Sequence, residues 1–315
     1  KPVVNSVDRS TSPVSGTTSL IQFYEVLDNE QWVGQVDLLA QFKTGAVDHK
    51  LLVTYDHLDF NLDDVALANL VPDEPQWIDL KGLLISGRCD VWAETDPNVG
   101  FVARSWDYPF AAIFGEPDSG LILDAVAEDR AAVRGQYLTD EWQLLAPQES
   151  RAVVEAALPG WRRRSVHLHR WNGDLERPDL DVDVRIDLLP DGHAAAGLTF
   201  DHLPATTRDE YTLEWVSQRP MAAAIVDGLP VSICYAAFTT DTLWDVSIET
   251  TQPHRRQGLA AVTFLALARH LAGQGLIPTW GAMENNPGSL GLATKLGFVP
   301  DAEIDAWYEA SRDSV

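Results

Sequence analysis

The stretch Arg255-Arg256-Gln257-Gly258-Leu259-Ala260 decides how this chain is read. It lies between an apolar run with strand character, Leu243–Thr250, and an alanine-rich run, Leu259–Ala272, whose Leu265, Leu267 and Leu271 have helical spacing. A turn from strand into helix presents backbone N–H groups that the helix cannot satisfy internally, and the helix dipole adds positive potential there. Gly258 lets a ligand come close to the backbone, Ala260 keeps the first turn uncrowded, and Arg255 and Arg256 add full charges. The segment reads as a pyrophosphate site, with a solvated loop at a helix start as the plainer alternative.

The chain around it is ordinary in bulk and unusual in charge. It has 315 residues, 45% hydrophobic and 22% charged, which fits two globular domains or one large one and excludes a disordered, collagen-like or coiled-coil chain. The 23 Lys+Arg against 47 Asp+Glu leave a net charge of −24. Such a surface repels phosphate backbones and anionic headgroups, so nucleic acid and membrane are poor partners and a cationic small molecule is a better one. Cys89 and Cys234 make no disulfide framework, and no apolar run approaches the ~20 residues of a membrane span. The polar stretch 1–19 has no apolar signal core and reads as a loose tail, and the setting reads as cytoplasmic.

Strands are expected at Leu51–Tyr55, Arg88–Ala93, Gly100–Arg104, Tyr108–Phe114, Trp142–Leu145 and Arg163–Trp171, with helices over Leu121–Val133 and Glu149–Leu158. The second half repeats that order. Val182–Leu189, Met221–Val226, Val231–Phe238 and Leu243–Thr250 are strand-like. Helical patterns cover Thr207–Gln218, Leu259–Ala272 and Ser289–Leu296, with a strand at Ile277–Met283. At one constant offset Gly120, Leu121, Gly135, Gln136, Leu138 and Trp142 match Gly258, Leu259, Gly273, Gln274, Leu276 and Trp280. These identities suggest an ancient duplication, with a tail at 1–19 and domains at 20–177 and 178–315.

Past Ala260 comes a second segment, Asn286-Pro-Gly-Ser289, which runs on to Lys295-Leu-Gly-Phe298. Together the two segments resemble the GNAT superfamily of acyl-CoA-dependent N-acyltransferases. Arg255-x-x-Gly258-x-Ala260 fits the family's acyl-CoA loop, Asn286-x-x-Ser289 fits its later helix motif, and Ile248-Glu249-Thr250 and Pro278-x-Trp280 fit the strands before them. The resemblance implies a mixed α/β fold, with a mostly antiparallel sheet flanked by helices and two tandem GNAT-like domains. It also implies acetyl-CoA, or another short acyl-CoA, as co-substrate, with no metal. Arg255, Arg256, Gln257, Gly258, Leu259 and Ala260 would wrap the pyrophosphate. Ile248 and Thr250 would run beside the pantetheine, and Asn286 and Ser289 would stand near the same arm. The implied reaction is direct attack of a small-molecule or peptide amine on the thioester in a ternary complex.

The sequence departs from the family at the acid and the base. Where many members carry a tyrosine on the last helix this chain has Ala293, and a common base position is Trp244. Asp245, Glu249 and Glu284 are the nearest carboxylates, and Tyr235 and Ser289 the nearest proton donors; a solvated or structural role is open for each. That gap leaves a non-catalytic acyl-CoA-binding or regulatory module as the alternative to an N-acetyltransferase. In the first half the segment aligned with Arg255–Ala260 is Pro117-Asp118-Ser119-Gly120-Leu121-Ile122, preceded by Glu116. Its carboxylates oppose a pyrophosphate, so that half is expected to be a degenerate copy covering the cleft. The basic run Trp161-Arg162-Arg163-Arg164, with His167, His169 and Arg170, reads as a solvated strand edge paired with surrounding carboxylates, with a dock for an acidic group or the coenzyme 3′-phosphate as the alternative. Asp179, Asp181, Asp183 and Asp187 read as a water-facing strand surface, with a divalent-cation site as the alternative. Trp244 and Trp280 are candidates for the walls of an acceptor pocket.

Overall fold

The computed structural model describes residues 17–309 apart from 28–29, 45–46, 61–63, 128–141, 174–177, 179, 181–182, 194–197, 204–207, 209 and 212–213. It divides into two units, Lys1–Asp63 and Asp64–Val315. The first is an antiparallel sheet of β1 (Thr17–Leu27), β2 (Glu30–Thr44) and β3 (Val47–Phe60), in that order. Leu51–Tyr55 lies inside β3. Of the stretch read as a tail, 1–16 lie outside the described residues and Thr17–Ser19 open β1.

The second unit begins with α1 (Asp64–Ala68) and α2 (Ile78–Ser86), then β4 (Cys89–Ala93), β5 (Gly100–Ser105), β6 (Phe110–Gly115), α3 (Ser119–Ala127), β7 (Gln143–Pro147), α4 (Arg151–Ala157) and β8 (Arg162–Trp171). It continues with β9 (Arg185–Leu189), α5 (Glu214–Ser217), β10 (Met221–Val226), β11 (Leu229–Thr239), β12 (Leu243–Thr250), α6 (Leu259–Ala272), β13 (Ile277–Met283), α7 (Pro287–Lys295) and β14 (Phe298–Tyr308). All eleven strands from β4 on form one mixed, mostly antiparallel sheet, in the order β4-β5-β6-β7-β14-β8-β13-β12-β11-β10-β9.

That order is symmetric about the β14·β8 pair. Going outward, β7 answers β13, β6 answers β12, β5 answers β11 and β4 answers β10. The pairing types agree as well: β6·β7 and β12·β13 are the two parallel pairs, and the rest are antiparallel. Each half therefore builds the same unit, but their last strands are exchanged. β14 pairs with β7 of the first half, and β8 pairs with β13 of the second.

The exchange is pinned by charge. Asp305 on β14 is fully buried and receives Arg151 Nε at 2.8 Å, Arg151 Nη2 at 3.1 Å and Arg163 Nη1 at 3.0 Å. Arg163 thus belongs to a structural ion pair. Arg164 stacks on Tyr308 with its guanidinium 5.0 Å from the ring centre, and His167 meets Glu303 at 2.9 Å. Asp187 pairs with Arg185, while Asp179 and Asp181 lie outside the described residues.

The spacing of α6 buries Phe264, Leu265, Leu267, Ala268 and Leu271 against Trp244, Val246, Trp280 and Phe298. Trp244 is wholly inaccessible and stacks on Phe264, and Trp280 is buried, its indole N–H donating to Ser289 Oγ at 3.0 Å. Both are core residues, which corrects their reading as pocket walls; their bulk fills the α6 face of the sheet. α3 ends at Ala127, and the rest of the expected 121–133 helix lies outside the described residues. β14 follows the last expected element and was not anticipated. Pro300, Asp301, Glu303 and Asp305 break up its apolar alternation, and apart from Phe298 only Ile304–Trp307 is buried.

Candidate active site

β12 and β13 are hydrogen-bonded only over Leu243–Asp245 and Ile277–Thr279. Beyond that point β13 continues against β8 while β12 runs on toward the Arg255 loop, so a wedge opens between them from Val246 onward. Ile248 and Thr250 lie along this free length. Ile248 packs on the α6 core, and Thr250 Oγ1 lies 2.8 Å from Ser232 Oγ on β11.

At the end of β12 the chain makes a short 3-10 turn over Gln252–His254, where Thr251 Oγ1 and His254 Nδ1 are 2.9 Å apart. Arg256 then takes φ +64° and Gly258 φ +79°. A side chain at Gly258 would be strained in that left-handed backbone, and its Cβ would stand 2.9 Å from Leu180 Cδ2. Gly258 is the N-cap of α6 and offers no side-chain acceptor. The first helical bonds come from Ala261 and Val262, both to Gly258 O, which leaves the N–H groups of Leu259 and Ala260 directed out of the helix end. Arg255 and Arg256 are exposed beside it. Arg255 Nε donates to Thr250 O at 2.8 Å and its Nη2 is 3.7 Å from Glu249 Oε1, while Gln257 Nε2 donates to Pro253 O.

The copy of this corner in the first half is closed. Asp118 Oδ1 accepts from Gly120 N–H at 2.7 Å, so a carboxylate of the chain already occupies the start of α3. Asp118 N–H in turn donates to Glu94 Oε1 at 2.7 Å. β6 and β7 diverge after Ala112 and Leu145, and Ser150 Oγ donates to Gly115 O at 2.6 Å at the end of β6.

Asn286 caps α7: its Oδ1 accepts from Ser289 N–H at 3.0 Å. Ser289 Oγ takes the Trp280 indole N–H, and Ala293 is buried in the core. The loop residues Arg255–Ala260 and the strand residues Ile248 and Thr250 stand along one edge of the wedge. Asn286 and Ser289 are at the start of the neighbouring helix.

The other face of the sheet gathers the titratable groups. Asp245, Ser247 and Glu249 alternate on β12, and Tyr235 on β11 is opposite Ser247. Tyr235 O–H donates to Glu210 Oε1 at 2.6 Å, and its oxygen is 3.2 Å from that of Tyr108. Tyr211 packs edge-on against Tyr235. Burial pushes the Glu210 carboxyl up, against the opposing effect of the Tyr235 hydrogen bond. Burial also holds Tyr108, Tyr211 and Tyr235 well above the ordinary phenol range, and so keeps them neutral. Burial likewise raises Asp245 far above the carboxylate range, with the charge of Asp79 on α2 adding to it, and brings Asp79 to about 6. Both cysteines are buried and free, and burial raises their thiols.

A groove of about 620 Å³ opens beside Glu249, between the β10–β11 turn and the loop before α6. Its walls include Leu203, Tyr211, Val231, Ile233 and Pro253. Among the described residues no cluster of three or more His, Cys, Asp or Glu could hold a metal, and no helix is long and apolar enough to cross a membrane.

Comparison with known proteins agrees with this geometry. A family model of GNAT acetyltransferases matches residues 222–307, the stretch from β10 through β14. The second half of the sheet is thus similar to GNAT acetyltransferases over that stretch. A GCN5-related N-acetyltransferase-like protein from Streptococcus suis has the same fold, at 18% identity and TM-score 0.56, over 79% of this chain and 98% of its own. A GCN5-related N-acetyltransferase from Kribbella flavida aligns at 15% identity and TM-score 0.48, over 78% and 96%. A tandem GNAT protein from the clavulanic acid biosynthesis pathway aligns at 16% and 0.49, over 80% and 94%. No curated protein matches the sequence. The general chemistry of that family is acyl transfer to an acceptor, with acyl-CoA as the usual co-substrate.

Glu210, Tyr108 and Asp79 were not singled out in the sequence. Tyr108 and Tyr235 are 127 residues apart, and no local pattern announces a contact that only the folded sheet makes.

Proposed function

We propose that this protein is an N-acetyltransferase that moves the acetyl group of acetyl-CoA to a primary amine of a small molecule or peptide, by direct attack in a ternary complex. The observation that carries this reading is the contrast between the two copies of the helix start. Gly258 leaves α6 open beside two arginines, whereas Asp118 closes α3 with its own carboxylate. An anion is therefore favoured at the second and repelled at the first. In this reading residues 178–315 bind the donor, and the first-half copy within 20–177 covers the cleft without a donor of its own.

Arg255, Arg256 and the N–H groups from Gln257 to Ala260 take the pyrophosphate. The free edge of β12 at Ile248 and Thr250 receives the pantetheine amides, and Asn286 and Ser289 shape the far wall. The thioester then ends where β12 and β13 part, beside Asp245. Burial and Asp79 keep Asp245 protonated, which suits a donor to the departing thiolate. Glu249, at the groove wall, attracts a cationic amine, in keeping with the −24 charge of the chain. The reaction uses no metal, and the buried free thiols suit a reducing cytoplasm.

Thermal melting with acetyl-CoA tests the donor site. Binding to the folded state alone adds about 2.7 kcal/mol at a hundred times the dissociation constant. The shift is expected in wild type and absent in Gly258→Glu. Thioester release with a panel of amines then tests transfer. Binding without turnover would make the chain the non-catalytic module, a reading favoured by the buried Ala293 at the family's acid position.

A further inference from the structure

We propose that Tyr108, Tyr235 and Glu210 form the relay that takes the proton from the acceptor amine, so that both halves of the duplicated sheet contribute to one reaction centre; this rests on the acyl-transfer reading above. The three groups form one hydrogen-bonded row, 3.2 Å from Tyr108 to Tyr235 and 2.6 Å from Tyr235 to Glu210. They come from three separate places. Tyr108 stands in the turn between β5 and β6, in the half that closes its own helix start. Tyr235 is central on β11, and Glu210 lies in the helical turn before α5.

The row is held rigidly. Ser105 Oγ accepts from Tyr108 N–H at 3.0 Å, and the Tyr108 ring packs against Phe110 and Phe238 at 6.1 Å each. Tyr235 is buried on its strand. The two ends face different parts of the site. Tyr108 lies in the field of Asp245, at the point where the wedge opens, and Glu210 lies in the field of Glu249, on the groove wall.

Around Tyr108 the charged and titratable groups are Tyr235, Glu210, Asp245 and Arg219; around Tyr235 they are Tyr108, Glu210 and Tyr211; around Glu210 they are Tyr235 and Glu249. Neutral phenols in this setting pass a proton without holding a charge. The buried carboxylate at the end is the group that keeps it. The ammonium N–H bond breaks as its proton reaches the Tyr108 oxygen. The Tyr108 proton moves to the Tyr235 oxygen, and that of Tyr235 moves to Glu210 Oε1. The neutral amine then forms the C–N bond as the C–S bond breaks; the coenzyme thiolate takes a proton from Asp245, and the second proton shed by the new amide nitrogen restores Asp245 to its acid form. Tyr108 is the member that meets substrate, and Tyr235 and Glu210 act through it.

The test compares two acceptors in wild type, Tyr108→Phe, Tyr235→Phe and Glu210→Gln, with folding checked by melting. A primary alkylamine must lose a proton before attack; hydroxylamine is neutral already and needs none. The alkylamine rate is expected to fall by ~10²-fold more than the hydroxylamine rate in each variant, and to rise tenfold per pH unit as free amine accumulates. Equal losses on both acceptors, or no loss in Tyr108→Phe and Glu210→Gln, would overturn the relay and leave acyl transfer standing. A wild type that acylates neither acceptor would overturn the acyl-transfer reading, and the relay with it.

Discussion

Replacing Asp79 by asparagine should stabilise the protein, and only above the pH at which an aspartate of the unfolded chain ionises. Asp79 sits on α2 facing Asp245, and burial lifts its carboxyl from the ordinary 3.8 to about 6. Each pK unit is worth about 1.4 kcal/mol, so carrying the ionised form in the folded state costs about 3 kcal/mol. The sign follows from which state holds the proton. Below the unfolded value both states are protonated and the cost is absent. Between the two values the folded state keeps a proton that the unfolded chain releases, so stability falls as pH rises; above the folded value the full cost remains. Asparagine keeps the shape without the charge and relieves the repulsion on Asp245. In urea titrations at about pH 7.5 the variant should gain about 3 kcal/mol, or about 6–12 °C in melting, and at about pH 4 it should match wild type. A variant no more stable than wild type at the higher pH, or equally stabilised at both, would refute the reasoning. Lost transfer activity in the stabilised variant would be the familiar exchange of stability for a strained site.

Arg255→Ala should weaken acetyl-CoA by about tenfold, the loss of one charge-assisted contact, without lowering stability, because the side chain is exposed; calorimetric titration measures it. Asp305→Ala should cost about 3 kcal/mol in urea unfolding, because it strands Arg151 and Arg163 at the strand exchange.

The sequence was most legible where one helix or strand face is set by local periodicity. Leu259–Ala272 and Ile277–Met283 were read residue for residue, because the leucines of α6 and the apolar run of β13 have clean periods and Gly273 stops the helix. The Arg255–Ala260 corner was legible because its chemistry is local: backbone, glycine and charge within six residues. β14 was not, because its buried half includes Asp305, a charge that makes sense only once Arg151 and Arg163 are beside it. α2 escaped for a related reason. It is apolar on nearly every side and shows little amphipathic contrast, with even Lys81 buried and bonded to the carbonyls of Ala68 and Val71. The duplication was visible as identities at a constant offset, whereas the exchange of final strands leaves no trace in composition or spacing. The Glu210–Tyr235–Tyr108 row is equally silent in one dimension, since each residue is unremarkable among its own neighbours.

The exchange of β8 and β14 also sets an order for synthesis. β7 makes its antiparallel pairing with Ile304–Tyr308 of β14, so the first half keeps an open edge until the ribosome has delivered nearly all of the second. β8, made early, must wait for β13 in the same way. Neither repeat can finish alone, and a nascent chain paused between them would display two unpaired strands to its surroundings. Chaperone dependence and slow, high-contact-order folding are the costs of such an architecture; its return is that a chain interrupted partway cannot pass as a finished protein.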